Sequence, residues 1–143
     1  MTSSTVPDVR IAAIDIGSNS VRQIIADVSA TGQIRVVDEM KTMPRLGEGL
    51  ERTGALGQTA VDAALAAVAR MVTLAKQMGA ARIEIVATSA VRDASNGEEF
   101  STRVQNDTGI AVRVLSGEQE ALLSFRSALA HFELGAGRSM VMD

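Results

Sequence analysis

Three short segments of this sequence combine glycines, hydroxyls and charged side chains in patterns that suit the binding and hydrolysis of phosphates. They are Asp15-Ile16-Gly17-Ser18-Asn19-Ser20, Thr88-Ser89-Ala90-Val91-Arg92-Asp93 and Ser116-Gly117-Glu118-Gln119-Glu120. Proteins bind phosphate groups through the backbone N–H groups of tight turns and through arginine guanidinium groups. A carboxylate that takes a proton from water can then promote hydrolysis. The three segments together contain all of these groups, so what matters is whether the fold brings them together.

The first segment has the composition of a tight turn at the end of a strand. Successive backbone N–H groups around Gly17 can cradle a phosphate, and Ser18 and Asn19 add short polar side chains. Asp15, at the strand end, can hold a divalent cation or its waters, because hard cations prefer oxygen ligands. Glycine, serine and asparagine are also common in ordinary hairpin turns, so the segment alone does not establish a binding site.

The second and third segments each contain one side chain that suits the chemistry. Arg92 follows an apolar strand at its carboxyl end, where open α/β sheets bind ligands, and its guanidinium suits phosphate oxygens. An exposed ion pair with Asp93 would explain the same residue without a ligand. Ser116 and Gln119 fit a helix-capping box, and acidic residues are favoured in a first helical turn. Glu120 lies away from the apolar stripe of that helix, so it can face a cleft or bulk water.

The elements that position these segments follow from hydrophobic periodicity and from turn residues. Strands are predicted at 10–16, 21–28, 33–40, 82–87 and 110–115, helices at 58–78, 96–106 and 116–132, a loop over 41–56, and a loop or short helical turn over 88–94. Short turns between the first three strands predict an antiparallel meander, after which helices and strands alternate. That order predicts an α/β fold with a mixed five-stranded sheet and helices on both faces, as in an actin-like (ribonuclease-H-like) half-domain.

Composition excludes several other kinds of site. The 143 residues are 46% hydrophobic and 22% charged with a net charge of −3, which suits one domain with an aliphatic core. There is no cysteine and one histidine, so disulfides and thiolate metal sites are excluded and a serine–histidine–aspartate triad is disfavoured. No basic run predicts nucleic-acid binding, and no apolar stretch approaches the ~18 residues of a membrane span. The polar start lacks a signal peptide, so a cytoplasmic protein is expected.

Four segments, taken in order, resemble the exopolyphosphatase / guanosine pentaphosphate phosphohydrolase (Ppx/GppA) family. They are Ala13-Ile14-Asp15-Ile16-Gly17-Ser18-Asn19-Ser20-Val21-Arg22, Arg45-Leu46-Gly47-Glu48-Gly49-Leu50, Ala87-Thr88-Ser89-Ala90-Val91-Arg92-Asp93-Ala94 and Leu115-Ser116-Gly117-Glu118-Gln119-Glu120-Ala121. Their order and spacing follow the family across almost the whole chain. The resemblance implies an acetate-and-sugar-kinase/Hsp70/actin fold of two such domains with the active site between them. Residues 1–143 would then form a single N-terminal domain.

The resemblance also implies an activity and roles for individual residues. It implies hydrolysis of a terminal phosphoanhydride of inorganic polyphosphate or of guanosine pentaphosphate, with a divalent cation, usually Mg²⁺. Glu120 would be the base that activates the attacking water. The remaining site residues would be Gly17, Ser18, Asn19 and Arg92 for phosphate, and Asp15 and Asp143 for the cation and its water.

Two positions and the end of the chain depart from the family pattern. Gln119 stands where the family usually has an acidic residue, and Gln23 replaces an apolar one, which leaves the preference between the two substrates open. Residues 139–142 have the pattern of a strand that stops at Asp143, where the family would begin a second glycine-rich phosphate loop. We therefore expect the chain to be cut before that loop, to be nearly inactive alone, and to expose an apolar face that favours self-association, for example as a homodimer.

Two other functions fit parts of the same pattern. One is the ATP-binding half-domain of an actin-like sugar or acetate kinase or of an Hsp70-like ATPase, since these share the Asp-x-Gly-Ser type of turn. The presence of Arg92 and Glu120 in their motifs argues against it. The other is a non-catalytic module that senses polyphosphate or nucleotide.

Overall fold

Five strands and five helices follow one another in nearly the predicted order. The computed structural model describes residues 6–131, with side chains up to Ser124 in the last helix. The strands are β1 (Val9–Ile16), β2 (Val21–Val28), β3 (Ile34–Thr42), β4 (Arg82–Ala87) and β5 (Val112–Val114). The helices are α1 (Leu50–Thr53), α2 (Gln58–Gln77), α3 (Ser89–Asp93), α4 (Gly97–Thr108) and α5 (Gly117–His131). The four-residue α1 lies inside the segment predicted as a loop, and the strand predicted at 139–142 lies outside the described residues.

The strands form one mixed sheet in the order β3-β2-β1-β4-β5. The β1–β2 and β2–β3 pairs are antiparallel, as the short turns between them predicted, whereas β4 pairs parallel to β1 and β5 parallel to β4. β1 is therefore the central strand. Because β1 and β4 run in the same direction, their carboxyl ends meet at one edge of the sheet.

The two faces of the sheet differ in how they are covered. In β1, Ala12, Ile14 and Ile16 are buried, while Ala13 and Asp15 on the other face are exposed. The buried face, called here the helix face, packs against the apolar stripe of α2. The opposite face, called here the open face, meets the first turns of α5 near Asp15. Helices thus lie on both faces.

The core helix α2 is more apolar than the sequence analysis allowed. An 18-residue window within its 20 residues has a mean hydropathy of 1.2, so by length and composition alone it could cross a membrane. The expectation that no apolar stretch approaches that length was wrong. Eight of its residues are buried, and six of these lie in the same hydrophobic cluster as Ile14, Ile16 and Ile85 of the sheet: Val61, Ala64, Leu65, Val68, Met71 and Val72. Its apolar side chains are therefore used in the core of this domain.

One polar side chain is fully buried within that core. Gln23, on the helix face of β2, is 0% exposed and donates a 2.7 Å hydrogen bond from Nε2 to the carbonyl of Met71 in α2. Its Oε1, together with Oγ1 of Thr42, is a buried side-chain atom without a hydrogen-bond partner in the described part of the chain. The amide therefore fixes α2 against β2 at the cost of an unsatisfied acceptor.

An ion cluster fixes the sheet at the edge opposite the predicted site. Arg10 donates from Nε and Nη2 to both carboxylate oxygens of Asp27, at 2.7 and 3.0 Å, and from Nη1 to the carbonyl of Met78 at 2.9 Å. Arg35 donates to the same carboxylate at 2.7 Å. The hydrogen bonds from Arg10, helped by the charges of both arginines and opposed by burial, hold the pKa of Asp27 below its usual 3.8.

The lowered pKa of Asp27 predicts how stability depends on pH. Because the carboxylate binds protons more weakly in the folded chain, its contribution is complete above the unfolded pKa and is lost as pH falls from about 4 toward the folded pKa. Asp27→Asn should lower the urea midpoint at pH 7, and the difference from wild type should shrink below about pH 4. Asp62→Asn, which removes an exposed pair with Arg103, is the control and should change little. If the urea midpoint of Asp27→Asn lies below that of wild type by the same amount at every pH, the lowered pKa of Asp27 is contradicted.

Candidate active site

The predicted site lies at the sheet edge where β1 and β4 end. The 17–20 hairpin connects β1 to β2, and Thr88 follows β4 directly. Thr88 donates its N–H to the carbonyl of Ile16 at 3.2 Å, which extends the parallel pairing to the last residue of β1. The hairpin and the segment after β4 are therefore held side by side by backbone hydrogen bonds.

Some backbone N–H groups of the hairpin are used within the turn and others are not. Gly17 donates its N–H to the carbonyl of Ser20 at 2.9 Å, so that group is already used within the turn. The N–H groups of Ser18, Asn19 and Ser20 make no hydrogen bond in the described part of the chain. A Cβ on Gly17 would lie 3.2 Å from the Ser20 carbonyl oxygen. Gly17 thus permits the tight turn, and the donors available to a ligand come from the three residues after it.

The loop after β3 fixes the hairpin from one side. Arg45 donates its N–H to the carbonyl of Asn19 at 3.0 Å, and Gly47 donates to the carbonyl of Ser18 at 2.8 Å. Between them, Leu46 is 0% exposed and anchors the loop in the core. Arg45 has φ 56°, which is uncommon for a residue with a side chain, and a Cβ on Gly47 would lie only 3.0 Å from that of Ser18. The loop therefore approaches the hairpin too closely for a larger residue at Gly47.

Helix α3 fixes the hairpin from the other side. The hydroxyl oxygens of Ser18 and Ser89 lie 2.8 Å apart, so one donates to the other. Ser89 is the first residue of α3, and only Thr88 separates it from the end of β4. Two serines 71 positions apart in the sequence thus meet at the centre of the site.

Arg92 and Glu120 contact each other directly. Arg92 donates from Nη1 to the Leu115 carbonyl at 3.0 Å, and the same nitrogen lies 3.4 Å from Oε2 of Glu120. Its Nε donates to Asp93 at 3.2 Å, the ion pair considered in the sequence analysis. Both Arg92 and Glu120 are partly buried, with side chains 31% and 29% exposed. The guanidinium therefore holds the Glu120 carboxylate and the end of β5 together.

A capping box positions Glu120 at the start of α5. Ser116 and Gln119 exchange hydrogen bonds between side chain and backbone at 3.0 and 3.1 Å, as predicted. Glu120 itself donates its N–H to the Ser116 carbonyl at 2.9 Å. Gln119 is consequently occupied by the cap, and the carboxylate one residue later is placed on a fixed first turn.

Two cavities flank the hairpin. The first, called here the hairpin cavity, has a volume of about 570 Å³; it is lined by Asp15, Gly17, Ser18, Asn19, Ser20, Val86, Thr88, Ser89, Leu115, Glu120, Leu123 and Ser124. The second, called here the loop cavity, has a volume of about 690 Å³; it is lined by Ser18, Asn19, Met43, Arg45, Gly47, Glu48, Leu50, Glu51, Ser89, Ala90 and Asp93. Ser18, Asn19 and Ser89 belong to both, so the Ser18–Ser89 contact forms the wall between them.

Most of the residues predicted for the site meet at the hairpin cavity. Its lining includes Asp15, Gly17, Ser18, Asn19 and Glu120. Arg92, which was also predicted for the site, contacts Glu120 but is absent from the lining of the cavity. Asp143 lies outside the described residues.

The hairpin cavity can accommodate a cation shared with a bound ligand. Asp15 and Glu120 are the carboxylates in its lining, and hydroxyl oxygens surround them. No group of three or more acidic or histidine side chains that could hold a metal occurs among the described residues. Mg²⁺ is commonly held by one or two carboxylates together with waters and substrate phosphates, so two carboxylates suit it.

The structure adds Ser89 and Thr88 to the predicted set. Both line the hairpin cavity, and Ser89 also hydrogen-bonds the hairpin itself. They belong to the second segment singled out in the sequence, but only the arginine of that segment was given a role. Their place at the carboxyl end of β4 was the signal that could have identified them.

The sequence matches a known family over most of its length. A sequence model described as the Ppx/GppA phosphatase family matches residues 24–143. Exopolyphosphatase 1 and exopolyphosphatase 2 of Mycobacterium tuberculosis are 31% and 34% identical to the chain, each over 94% of it. The chain spans 39% and 44% of the length of these two relatives.

A solved structure gives the same result for the fold. The crystal structure of the Aquifex aeolicus member of the Ppx/GppA family superposes with a TM-score of 0.82 at 31% identity, covering 90% of this chain and 42% of that one. The predicted fold class, an actin-like α/β half-domain with a mixed five-stranded sheet, is thereby confirmed.

The close packing of α3 against α4 predicts that a larger residue at the start of α4 would displace α3. A Cβ on Gly97, the first residue of α4, would lie 1.8 Å from the carbonyl oxygen of Val91 in α3. Gly97→Ala must therefore displace α3, which carries Ser89 and Arg92, and should destabilise the chain by about 3 kcal/mol in urea unfolding. Gly57→Ala is the control, because nothing lies within 4 Å of that position, and should cost about 1 kcal/mol or less. Equal effects of the two substitutions would refute the close contact.

Proposed function

Because this chain belongs to the Ppx/GppA phosphatase family, we propose that it forms the N-terminal part of an enzyme that hydrolyses terminal phosphoanhydride bonds. The substrate is inorganic polyphosphate or guanosine pentaphosphate. One observation carries the proposal: the carboxylate of Glu120 and the free N–H groups of the 17–20 hairpin line the same cavity of about 570 Å³. A base and a phosphate cradle are thus adjacent in the fold although about 100 residues separate them in the sequence.

The hairpin is the group proposed to bind the terminal phosphate. The N–H groups of Ser18, Asn19 and Ser20 carry partial positive charge and make no hydrogen bond within the described residues, and Thr88 and Ser89 line the same cavity. Because the hairpin is fixed on both sides by hydrogen bonds, its donors need little rearrangement when charge develops on the phosphoryl oxygens. A divalent cation held with Asp15 would neutralise part of the substrate's charge.

Arg92 is proposed to bind phosphate after releasing Glu120. Its Nη1 now donates to the Leu115 carbonyl and lies 3.4 Å from Glu120, a weak contact by hydrogen-bond standards. A phosphate oxygen is a better acceptor for a planar guanidinium than a partly exposed carboxylate at that distance. Exchange of partners would bring the arginine to the substrate and free the carboxylate for water.

Glu120 is proposed to act as the general base. Its carboxylate accepts a proton from a water molecule as the water oxygen attacks the terminal phosphorus, and the bond from that phosphorus to the bridging oxygen breaks. The shortened chain leaves with the bridging oxygen, and the proton on Glu120 is returned to solvent or product. The capping box keeps the first turn of α5 in place while this happens.

The remainder of the site is proposed to come from a second domain. The relatives are more than twice as long as this chain. The family resemblance implies an active site between two actin-like domains. The hairpin cavity has walls on the β1, β4 and α5 sides, and a facing domain would cover the bound phosphate and exclude water.

The role of Glu120 is tested by Glu120→Gln in the protein expressed from its full reading frame. Loss of the base should lower kcat for phosphate release by about 10²- to 10⁴-fold, while the isosteric amide leaves the affinity for polyphosphate nearly unchanged. Glu118→Gln, two residues earlier and exposed, is the matched control and should retain activity. Full turnover by Glu120→Gln would end the hydrolase proposal, and polyphosphate binding without turnover in the unsubstituted protein would indicate a sensing module.

Because part of the site is proposed to come from a second domain, we expect this chain alone to be a poor enzyme. Residues 1–143 should bind polyphosphate weakly and release little phosphate, because the groups proposed to face the hairpin are missing. A malachite green assay of released phosphate checks this against the protein from the full reading frame. Turnover by the isolated chain at the rate of the longer protein would contradict it.

A further inference from the structure

A threonine lies between the proposed phosphate cradle and the proposed base. β4 lies between β1 and β5 in the sheet, and the three strands run parallel, so they end at the same edge. The hairpin follows β1, Thr88 follows β4, and the segment that leads to Glu120 follows β5. Neighbouring strands lie ~4.8 Å apart, so Thr88 is about one strand spacing from Gly17 and from Leu115.

The side chain of Thr88 faces the hairpin cavity. Along β4, Val86 pairs with Asp15 on the open face, and Ala87 is buried on the helix face. Thr88 continues the strand pairing through its N–H, so its side chain returns to the open face. It lines the hairpin cavity together with Glu120 and the 17–20 hairpin.

The fold does not use the hydroxyl of Thr88. A threonine directly before a helix commonly accepts a hydrogen bond from an N–H of the first helical turn. Thr88 has this position before α3, but its side chain makes neither that bond nor any other hydrogen bond in the described part of the chain. Its oxygen is not among the fully buried side-chain atoms that lack a partner there, Gln23 Oε1 and Thr42 Oγ1, so it keeps contact with the cavity.

A hydroxyl without a partner is unfavourable for stability at this position. Thr88 is only 9% exposed, so its hydroxyl loses hydrogen bonds to bulk water on folding and gains none from the protein. Valine has the same shape and would avoid this loss. Ser89, the neighbouring hydroxyl of the cavity, is already bonded to Ser18. The hydroxyl of Thr88 therefore remains available to a molecule that enters the cavity.

The molecule that must lie between base and phosphate in the proposed reaction is the attacking water. It approaches the terminal phosphorus roughly in line with the bond that breaks. A lone pair of its oxygen points at phosphorus only when both of its hydrogens point elsewhere. Glu120 accepts one of these hydrogens, and a threonine oxygen, which can accept two hydrogen bonds, suits the other.

We propose that the hydroxyl of Thr88 accepts a hydrogen bond from the attacking water and holds it between Glu120 and the terminal phosphate. This inference rests on the proposed function and adds a second water-binding residue to it. The water oxygen forms the new bond to phosphorus, its proton passes to Glu120, and the bond from phosphorus to the bridging oxygen breaks. Thr88 fixes the position of the water and neither gains nor loses a proton.

Thr88→Val, made in the protein from the full reading frame, separates a role in placing water from a role in the fold. Valine removes only the hydroxyl, so kcat for phosphate release from polyphosphate should fall about 10- to 10²-fold. The affinity for polyphosphate, measured by titration, should stay within about two-fold, because no phosphate contact is lost. The urea midpoint should stay the same or rise. Thr88→Ser, which keeps the hydroxyl, should recover most of kcat.

Thr42→Val is the matched control. It removes another hydroxyl that has no partner, at the end of β3 and outside the lining of both cavities. Its kcat should stay within about two-fold of wild type, and its urea midpoint should not fall.

Because Thr88 and Glu120 are proposed to act on one water molecule, their effects should not add. Thr88→Val combined with Glu120→Gln should lower kcat less than about three-fold below that of Glu120→Gln alone. The inference is overturned if Thr88→Val turns over like wild type, or if its effect is undiminished in the Glu120→Gln protein. It is also overturned if Thr88→Val weakens polyphosphate binding as much as it lowers kcat, or lowers the urea midpoint together with kcat.

The proposed function is decided separately, by Glu120→Gln alone. Full turnover of that variant ends the hydrolase proposal whatever Thr88→Val does. Loss of turnover in Glu120→Gln together with wild-type turnover in Thr88→Val would leave the proposed function standing and overturn only the role of Thr88.

Discussion

The site depends on one constraint, the position of β1 at the centre of the sheet. β1 pairs antiparallel with β2 and parallel with β4, so the turn that leaves it and the segment that follows β4 are forced to the same edge. The hydrogen bond from Thr88 to the Ile16 carbonyl and the Ser18–Ser89 contact both follow from that pairing. A one-residue slip of β4 would move Ser89 to the other face and disconnect α3 from the hairpin.

Much of this arrangement could be predicted from the sequence, because its signals are local. The strand β1, the helix α2 and the capping box at Ser116 are each encoded by local sequence patterns, and each is present in the structure. The contacts that complete the site are not local. No periodicity indicates that Arg45 takes a positive φ to reach Asn19, or that Arg92 bonds the Leu115 carbonyl. Such contacts depend on how loops pack in three dimensions.

The backbone N–H groups of the hairpin are a second feature that the sequence could not predict in full. The sequence indicated that glycine and its neighbours would offer N–H groups to a phosphate, and the resemblance included Gly17 among them. In the fold, Gly17 donates to the Ser20 carbonyl, and the open donors begin at Ser18. The hydrogen bond that closes this turn uses the N–H of Gly17 as its donor. The residue that makes the turn possible is therefore not the one with an N–H left for a ligand.

The distribution of charge around the hairpin matters more than the net charge of the chain. A net charge of −3 argues against polyanion binding if it is taken as an average. The carboxylates lie in both cavities, with Glu48, Glu51 and Asp93 in the loop cavity and Asp15 and Glu120 in the hairpin cavity, while the strand register places Arg22 beside Asp15 on the open face. An anion bound at the hairpin therefore depends on nearby donors and cations rather than on the average charge, because attraction between exposed charges is largely screened beyond about 8 Å at physiological salt.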